Sequence, residues 1–224
     1  MPLARQDLDA VIIDLDGTLI DTLGDFAEAL NRMLGELCLP AIARVDIERM
    51  VGKGSEHLIR SALQAVGGDP GLYDPAWAAY QRHYAAANGR HAQVYPGVMQ
   101  GLQALRARDV RMACVTNKPG RFAQDLLRAK DLDGFFTHVF GGDAFTQRKP
   151  HPLPLLTAAK ALGAEPACTL MVGDSSNDAQ AARAAGCPVV LVTYGYNHGE
   201  PVRSVDADAW LDSLADLTGI LRPA

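Results

Sequence analysis

The sequence predicts an α/β fold: a doubly wound parallel sheet with an α-helical module inserted after its first strand. Three observations lead there. Short apolar runs recur along the chain, helical patterns separate most of them, and one long stretch carries helical patterns alone.

The apolar runs are residues 10–13, 110–115, 138–140, 169–172 and 189–192. Each is too short for a helix and rich in residues suited to a buried strand. Leu102 and Leu105, Phe122 and Leu126, and Leu155, Leu156, Ala159 and Leu162 fall at helical spacing within the segments between them. Strands alternating with helices imply parallel pairing. Residues 21–92 break the alternation. Phe26, Leu30, Met33, Leu34 and Leu37 mark one apolar face. Leu58, Ile59, Ala62 and Val66 mark a second, and Trp77, Tyr80, Tyr84 and Ala87 a third. Glycines 52, 54, 67, 68 and 71 with Pro70 separate them, and Pro96-Gly97 returns the chain to the core. The expected organisation is an α/β core of residues 1–20 and 93–224 with a helical insertion of residues 21–92. Residues 208–211 read as extended, followed by a final helix through Leu221.

Composition narrows the function. The 224 residues are 48% hydrophobic, with a net charge of -5 and no cluster of lysine and arginine. That disfavours nucleic acid or an anionic membrane as partner. No apolar stretch approaches the ~20 residues a membrane helix needs. The four cysteines form no CxxC pair and share no metal-ligand spacing with a histidine, so they read as reduced thiols of a cytoplasmic protein. The first ten residues, with Arg5, Asp7 and Asp9, do not read as a signal peptide.

The chemistry lies where strands end. The first run ends in Asp14-Leu15-Asp16-Gly17-Thr18. Side chains alternate along a strand, so Asp14 and Asp16 share a direction. Two acids ending an apolar run call for a cation or a proton between them, and ligands of α/β sheets bind at carboxyl ends of strands. The second run ends in Thr116-Asn117-Lys118-Pro119, where a hydroxyl and backbone amides before a helix suit a phosphate, although a simple helix cap explains the threonine equally. After the third comes Arg148-Lys149-Pro150-His151-Pro152, whose prolines restrict the backbone around Lys149. The fourth ends in Gly173-Asp174-Ser175-Ser176-Asn177-Asp178. One acid satisfies a helix start; Asp174 and Asp178 together with Asp14 and Asp16 suggest a site for a hard cation such as Mg²⁺.

In order, these four motifs resemble those of the haloacid dehalogenase superfamily, and the resemblance covers nearly the whole chain. It implies a Rossmann-type core with a helical cap inserted after the first motif. Within the superfamily the chain is similar to bacterial phosphoglycolate phosphatases, through Thr116-Asn117-Lys118-Pro119, Gly141-Gly142-Asp143, Lys149-Pro150-His151-Pro152, Ala185-Gly186-Cys187-Pro188 and Thr193-Tyr194-Gly195-Tyr196-Asn197. The resemblance implies that Asp14 attacks phosphorus and that Asp16 protonates the leaving alkoxide. Thr116 and nearby amides would hold the phosphoryl oxygens, and Lys149 would offset charge. Mg²⁺ would bind the Asp14 carboxylate, the Asp16 carbonyl and Asp174, with Asp178 in support. The expected partner is a small-molecule phosphate ester, and the chain a monomer or small homo-oligomer.

Rival readings remain. A dehalogenase or phosphonoacetaldehyde hydrolase of the superfamily lacks the second acid, which here is Asp16. A phosphate-binding module without activity would be free to lose Asp14 or Lys149. A hexose-phosphate mutase, or another sugar-phosphate or nucleotide phosphatase, keeps all four motifs and stays open. Recognition of a substrate carboxylate is expected from Lys53, Lys118, Arg60 or Arg121. Lys53 is favoured, because glycines flank it in a loop able to close over the site.

Overall fold

The computed structural model describes residues 8–219. Strands β1 (Ala10–Ile13), β4 (Arg111–Val115), β5 (His138–Phe140), β6 (Thr169–Gly173), β7 (Val189–Val192) and β8 (Ala209–Leu211) form one sheet in the order β5-β4-β1-β6-β7-β8. All its neighbours are parallel. The two-residue strands β2 (Ile20–Asp21) and β3 (Gln93–Val94) pair antiparallel as a separate ribbon.

β1 explains why the sheet needs helices on both faces. Its four residues are fully buried. Val11 and Ile13 join Leu102 and Leu105 of α5 (Val98–Arg106), Leu126 of α6 (Gly120–Ala129) and Leu214 in one core. Ala10 and Ile12 face the other way, against Leu155 and Ala158 of α7 (Leu153–Ala161) and Ala179 and Ala182 of α8 (Ser176–Ala185). Strand alternation thus divides one apolar run between two cores. Register then sets the site. Ile13 sits opposite Cys114 on one side and Val172 on the other. Asp14 therefore emerges beside the ends of β4 and β6, where the order of strands reverses and a crevice opens.

Between β2 and β3 lie α1 (Leu23–Glu36), α2 (Arg44–Glu48), α3 (Ser55–Ala65) and α4 (Tyr73–Ala87). They enclose a third core, with Leu30, Met33, Ile59, Tyr80 and Tyr84 at its centre and Phe122 and Tyr196 joining from the α/β layer. Tyr84 stacks on Phe26 at 5.3 Å between centroids and meets Phe122 edge-on at 5.0 Å. The apolar face of α4 differs from expectation at Trp77, which is exposed; Ala76 takes its place in the buried row with Ala79, Tyr80, Tyr84 and Ala87. At the chain end, the expected helix is a short 3₁₀ segment, Leu214–Gly219, against α5; Leu221 lies outside the described residues.

The insertion is closed at its base by one buried acid. Asp25, in the first turn of α1, accepts hydrogen bonds from the backbone of Gly89 at 2.6 Å and of His91 at 2.7 Å. The start of the insertion is thereby fixed to its end. Asp25→Ala leaves both N–H groups without that acceptor and should lower stability by about 2 kcal/mol. Asp25→Asn, which keeps one acceptor oxygen, should lose less. Urea unfolding checks this, and an unchanged midpoint for Asp25→Ala would contradict it.

Candidate active site

Four strand ends meet around one group of charges. After β1 the chain turns at Gly17 (φ +83), where a Cβ would collide with the Asp174 carboxylate. Asp174 follows β6. Thr18 Oγ1 donates to its Oδ1 at 3.3 Å, and the Tyr196 N–H to its Oδ2 at 2.7 Å. Asp178, in the first turn of α8, reaches back with Oδ2 to accept from the Ser175 N–H at 3.1 Å and the Ser175 hydroxyl at 2.8 Å. It thus stabilises a helix start, as its sequence position allowed. Its Oδ1 accepts from Lys149 Nζ at 2.8 Å.

Lys149 is buried, with three oxygens around its Nζ. Nζ lies 2.8 Å from Asp178 Oδ1, 2.8 Å from Asp14 Oδ1 and 2.8 Å from the Val115 carbonyl. Asn117 clamps its backbone: Oδ1 accepts from the Lys149 N–H at 3.1 Å and Nδ2 donates to the Lys149 carbonyl at 2.9 Å. The proline-rich loop was the expected source of that rigidity; the asparagine provides it directly.

The electrostatics favour a bound cation. Burial pushes the Asp14 carboxyl up to about 7; Lys149 pulls against it, while Asp178 and Asp16 add to it. Asp174 lies well above the usual carboxylate range because of burial, then of Asp178 and Asp14. Lys149 is held above its usual value: Asp14 and Asp178 outweigh the desolvation that opposes its charge. One oxygen from each of Asp14, Asp174 and Asp178 falls within 4.8 Å of the others. Buried, closely spaced carboxylate oxygens fit a small hard cation.

The Asp16 carboxylate is outside that trio. Its Oδ1 accepts from Lys118 Nζ at 2.6 Å. Asp14, Asp16, Thr116, Asn117 and Lys118 line a cavity of about 30 Å³, closed from the insertion by Phe26, Val51, Gly52, Gly54, Ser55 and Leu58. Thr116 Oγ1 accepts from the Lys118 N–H at 3.2 Å, which leaves its own O–H to donate. Asn117 has a different task from the substrate contact expected of it. Its two amide N–H groups go to the Lys149 and Gly52 carbonyls, the latter at 2.9 Å, so it positions Lys149 and ties the 51–54 loop down.

That loop covers the site as expected, but through its glycines. The Lys53 side chain is exposed and absent from the cavity wall. Arg60 pairs with Glu56 at 3.3 Å, and Arg121 is exposed near Asp125 at 4.0 Å; neither lines the cavity. His151 accepts from the Leu153 N–H at 3.2 Å, a structural role. Sequence reasoning gave no physical role to Tyr196, Gly195, Asn197, Asn177 or His198. A Cβ at Gly195 would strike Asp174. Asn197 Oδ1 accepts from the Ser176 N–H at 2.9 Å, and Asn177 Nδ2 donates to the Gly52 carbonyl at 3.2 Å. The 193–197 segment is legible as a motif, yet its partners lie far away in sequence.

A buried carboxylate among three other acids and two lysines at the switch point of a parallel sheet, under a helical insertion, defines a class. Residues 11–192 match the family model described as haloacid dehalogenase-like hydrolase, and the chain belongs to that family. Among its relatives is a phosphoglycolate phosphatase of Thiobacillus denitrificans, 45% identical over 210 residues, or 92% of each chain. Another, from Nitrosospira multiformis, is 45% identical over 95% of each chain. A crystal structure described as a predicted phosphoglycolate phosphatase from Haemophilus somnus superimposes with a TM-score of 0.92 at 31% identity, over 97% of this chain and 99% of that one.

Cation binding should be linked to protons. Asp14 in the metal-free protein keeps its proton until pH rises through about 7, and a cation must displace it. A divalent cation such as Mg²⁺ should therefore bind at least about tenfold more weakly at pH 6 than at pH 8, since Asp174 is raised as well. The same shift means that the metal-free protein loses stability as pH rises from the ordinary carboxylate range through about 7, and Mg²⁺ offsets the loss. Calorimetric titration and thermal melts at the two pH values measure both; a pH-independent affinity would contradict the linkage.

Proposed function

We propose that this chain is a Mg²⁺-dependent phosphatase for a small phosphate monoester, with 2-phosphoglycolate as substrate and an aspartyl-phosphate on Asp14. The observation that carries the reading is Asp14 itself: buried, held by Lys149, and beside Asp16 in one narrow cavity. The names of the relatives support the substrate.

Asp14, Asp174 and the Asp16 carbonyl would hold Mg²⁺, with Asp178 in support. The ion would offset the charge of carboxylates and phosphoryl group. The protein's own groups carry the chemistry. An Asp14 oxygen attacks phosphorus, the new P–O bond forms as the ester P–O bond breaks, and Asp16 gives its proton to the departing alkoxide. Water then attacks the phosphoryl group, Asp16 takes the proton, and Asp14 is released with phosphate. The Thr116 hydroxyl donates to a phosphoryl oxygen. Lys149 holds Asp14 in place and stabilises its charge until attack. Residues 21–92 act as a cap whose movement admits substrate, and its closure excludes water. All four cysteines are free, which supports work in a reducing cytoplasm.

The test is phosphate release with Mg²⁺ from 2-phosphoglycolate, hexose phosphates, nucleoside monophosphates and pyrophosphate, beside an EDTA control. A kcat/KM for 2-phosphoglycolate about a hundredfold above the others is expected. Broad, weak, EDTA-sensitive activity would reject the substrate and keep the mechanism. Glucose 6-phosphate formed from β-glucose 1-phosphate and a bisphosphate activator would favour a mutase. Asp14→Asn and Asp16→Ala should each lower turnover by about a thousandfold or more with the fold intact. Turnover within tenfold of the unaltered protein would reject those roles.

A further inference from the structure

The two buried lysines of the site differ in what surrounds them. Lys149 Nζ has three oxygens around it. Lys118 Nζ has one oxygen partner among the described residues, Asp16 Oδ1 at 2.6 Å. Its other neighbours are aromatic faces: the Phe26 ring at 4.5 Å and the Tyr84 ring at 5.0 Å. An ammonium carries three donors, and the faces of aromatic rings attract a cation without taking up those donors as oxygen acceptors do. Lys118 is 5% exposed, yet it lines the cavity. The site therefore contains a desolvated cation with unspent hydrogen-bonding capacity beside the acid assigned to the leaving group.

Two tyrosines pack behind Phe26 of the same wall. Among the described residues, the Tyr84 hydroxyl is buried without a hydrogen-bond partner, and the buried Tyr80 hydroxyl has only Ser55 beside it. Their rings stack at 5.4 Å, and Tyr84 in turn stacks on Phe26 in the cavity lining. Buried polar groups left unpaired in this way are rare and call for an explanation. The remaining cations considered for carboxylate recognition are exposed and outside the lining.

We infer that Lys118 is the receptor for a carboxylate on the substrate, and that Asp16 occupies its place on Lys118 when no ligand is bound. The inference rests on the phosphatase reading above, in which Asp16 serves the ester oxygen. The geometry follows from the chemistry of that substrate. In 2-phosphoglycolate a single methylene separates the ester oxygen from the carboxylate. With the ester oxygen at Asp16, the carboxylate lies within reach of the cation that Asp16 contacts. Substrate carboxylate then replaces one charge-assisted hydrogen bond with another on Lys118, and Asp16, released from the ammonium, takes up a proton from solvent and turns to the ester oxygen. An ester without a carboxylate leaves Asp16 on Lys118. Selectivity thus arises at the same side chain that controls where Asp16 points, and the 51–54 loop contributes closure without charge.

The test separates recognition from turnover. Binding of 3-phosphonopropionate and of propylphosphonate to the Mg²⁺-loaded protein is measured by calorimetry. The first is a non-hydrolysable mimic of 2-phosphoglycolate; the second lacks its carboxylate. The unaltered protein should prefer the first by about thirtyfold, the range of a desolvated charge-assisted hydrogen bond. In Lys118→Met, which keeps the stem against the aromatic rings, the preference should fall below about threefold, and Lys118→Arg should recover part of it. A full preference retained in a folded Lys118→Met protein would overturn the inference and leave the phosphatase reading standing. No preference in the unaltered protein would overturn both the carboxylate substrate and its receptor. If Lys118→Met does not fold, a crystal structure of the unaltered protein with Mg²⁺ and 3-phosphonopropionate decides. Lys118 Nζ in hydrogen-bond distance of the inhibitor carboxylate supports the inference, and Nζ still bound only to Asp16 overturns it.

Discussion

A surplus of buried negative charge is the constraint on which this structure depends. Asp14, Asp16, Asp174 and Asp178 meet two ammonium groups, Lys118 and Lys149. Four acids less two lysines leaves two formal negative charges in a region shielded from water. Burial alone penalises the charged form of Asp14 and Asp174 more than any other influence on them. A divalent cation would balance the remainder. The arrangement is thus incomplete as a purely structural salt-bridge network, because such a network is destabilising unless its charges are matched.

The fold holds that surplus because the sheet supplies rigid edges. Asp14 can sit among three other carboxylates only if β1 is fixed, and β1 is fixed by an apolar core on each face and a parallel neighbour on each side. Lys149 arrives from the loop after β5, one strand beyond β4, and needs Asn117 at the end of β4 to set its backbone. Asp178 arrives from α8, where its cap interaction with Ser175 aims the other oxygen at Lys149. Each charged group is therefore positioned by a different element, and none depends on its own rotamer alone.

Much of this was legible in the sequence because it is local. Apolar runs such as 10–13 and 189–192 identify buried strands without knowledge of their partners, and acids that end such runs are conspicuous. What escaped was short or distant. β2 and β3 have two residues each, too few for a period to register. Trp77 followed the spacing of Tyr80 and Tyr84, but a helix advances 100° per residue, and small Ala76 lies nearer the centre of the buried row. Lys53 attracted attention through its flanking glycines, a local signal, whereas Lys118 acquires its meaning from Asp16 and two aromatic rings remote in the chain. Asn117 likewise reveals its role only through carbonyls at Lys149 and Gly52.

Tyr196 shows how tightly the insertion and the charged centre are joined. Its backbone N–H donates to Asp174 at 2.7 Å. Its hydroxyl donates to Asp21 at 2.7 Å and accepts from the N–H groups of Thr22 at 2.8 Å and Leu23 at 3.1 Å. Those groups form the junction of β2 with α1, where the chain passes into the helical insertion. One residue thus holds a candidate cation ligand with its backbone and the pivot of the insertion with its side chain. A rotation of the insertion about that pivot cannot leave the Tyr196 hydroxyl bonds intact unless the pivot residues stay where they are. The rotation must therefore be taken up beyond Leu23, within the insertion, or through the 51–54 loop releasing Asn117 and Asn177. Release of the 51–54 loop from Asn117 and Asn177 would open the cavity without breaking the Tyr196 contact to Asp174.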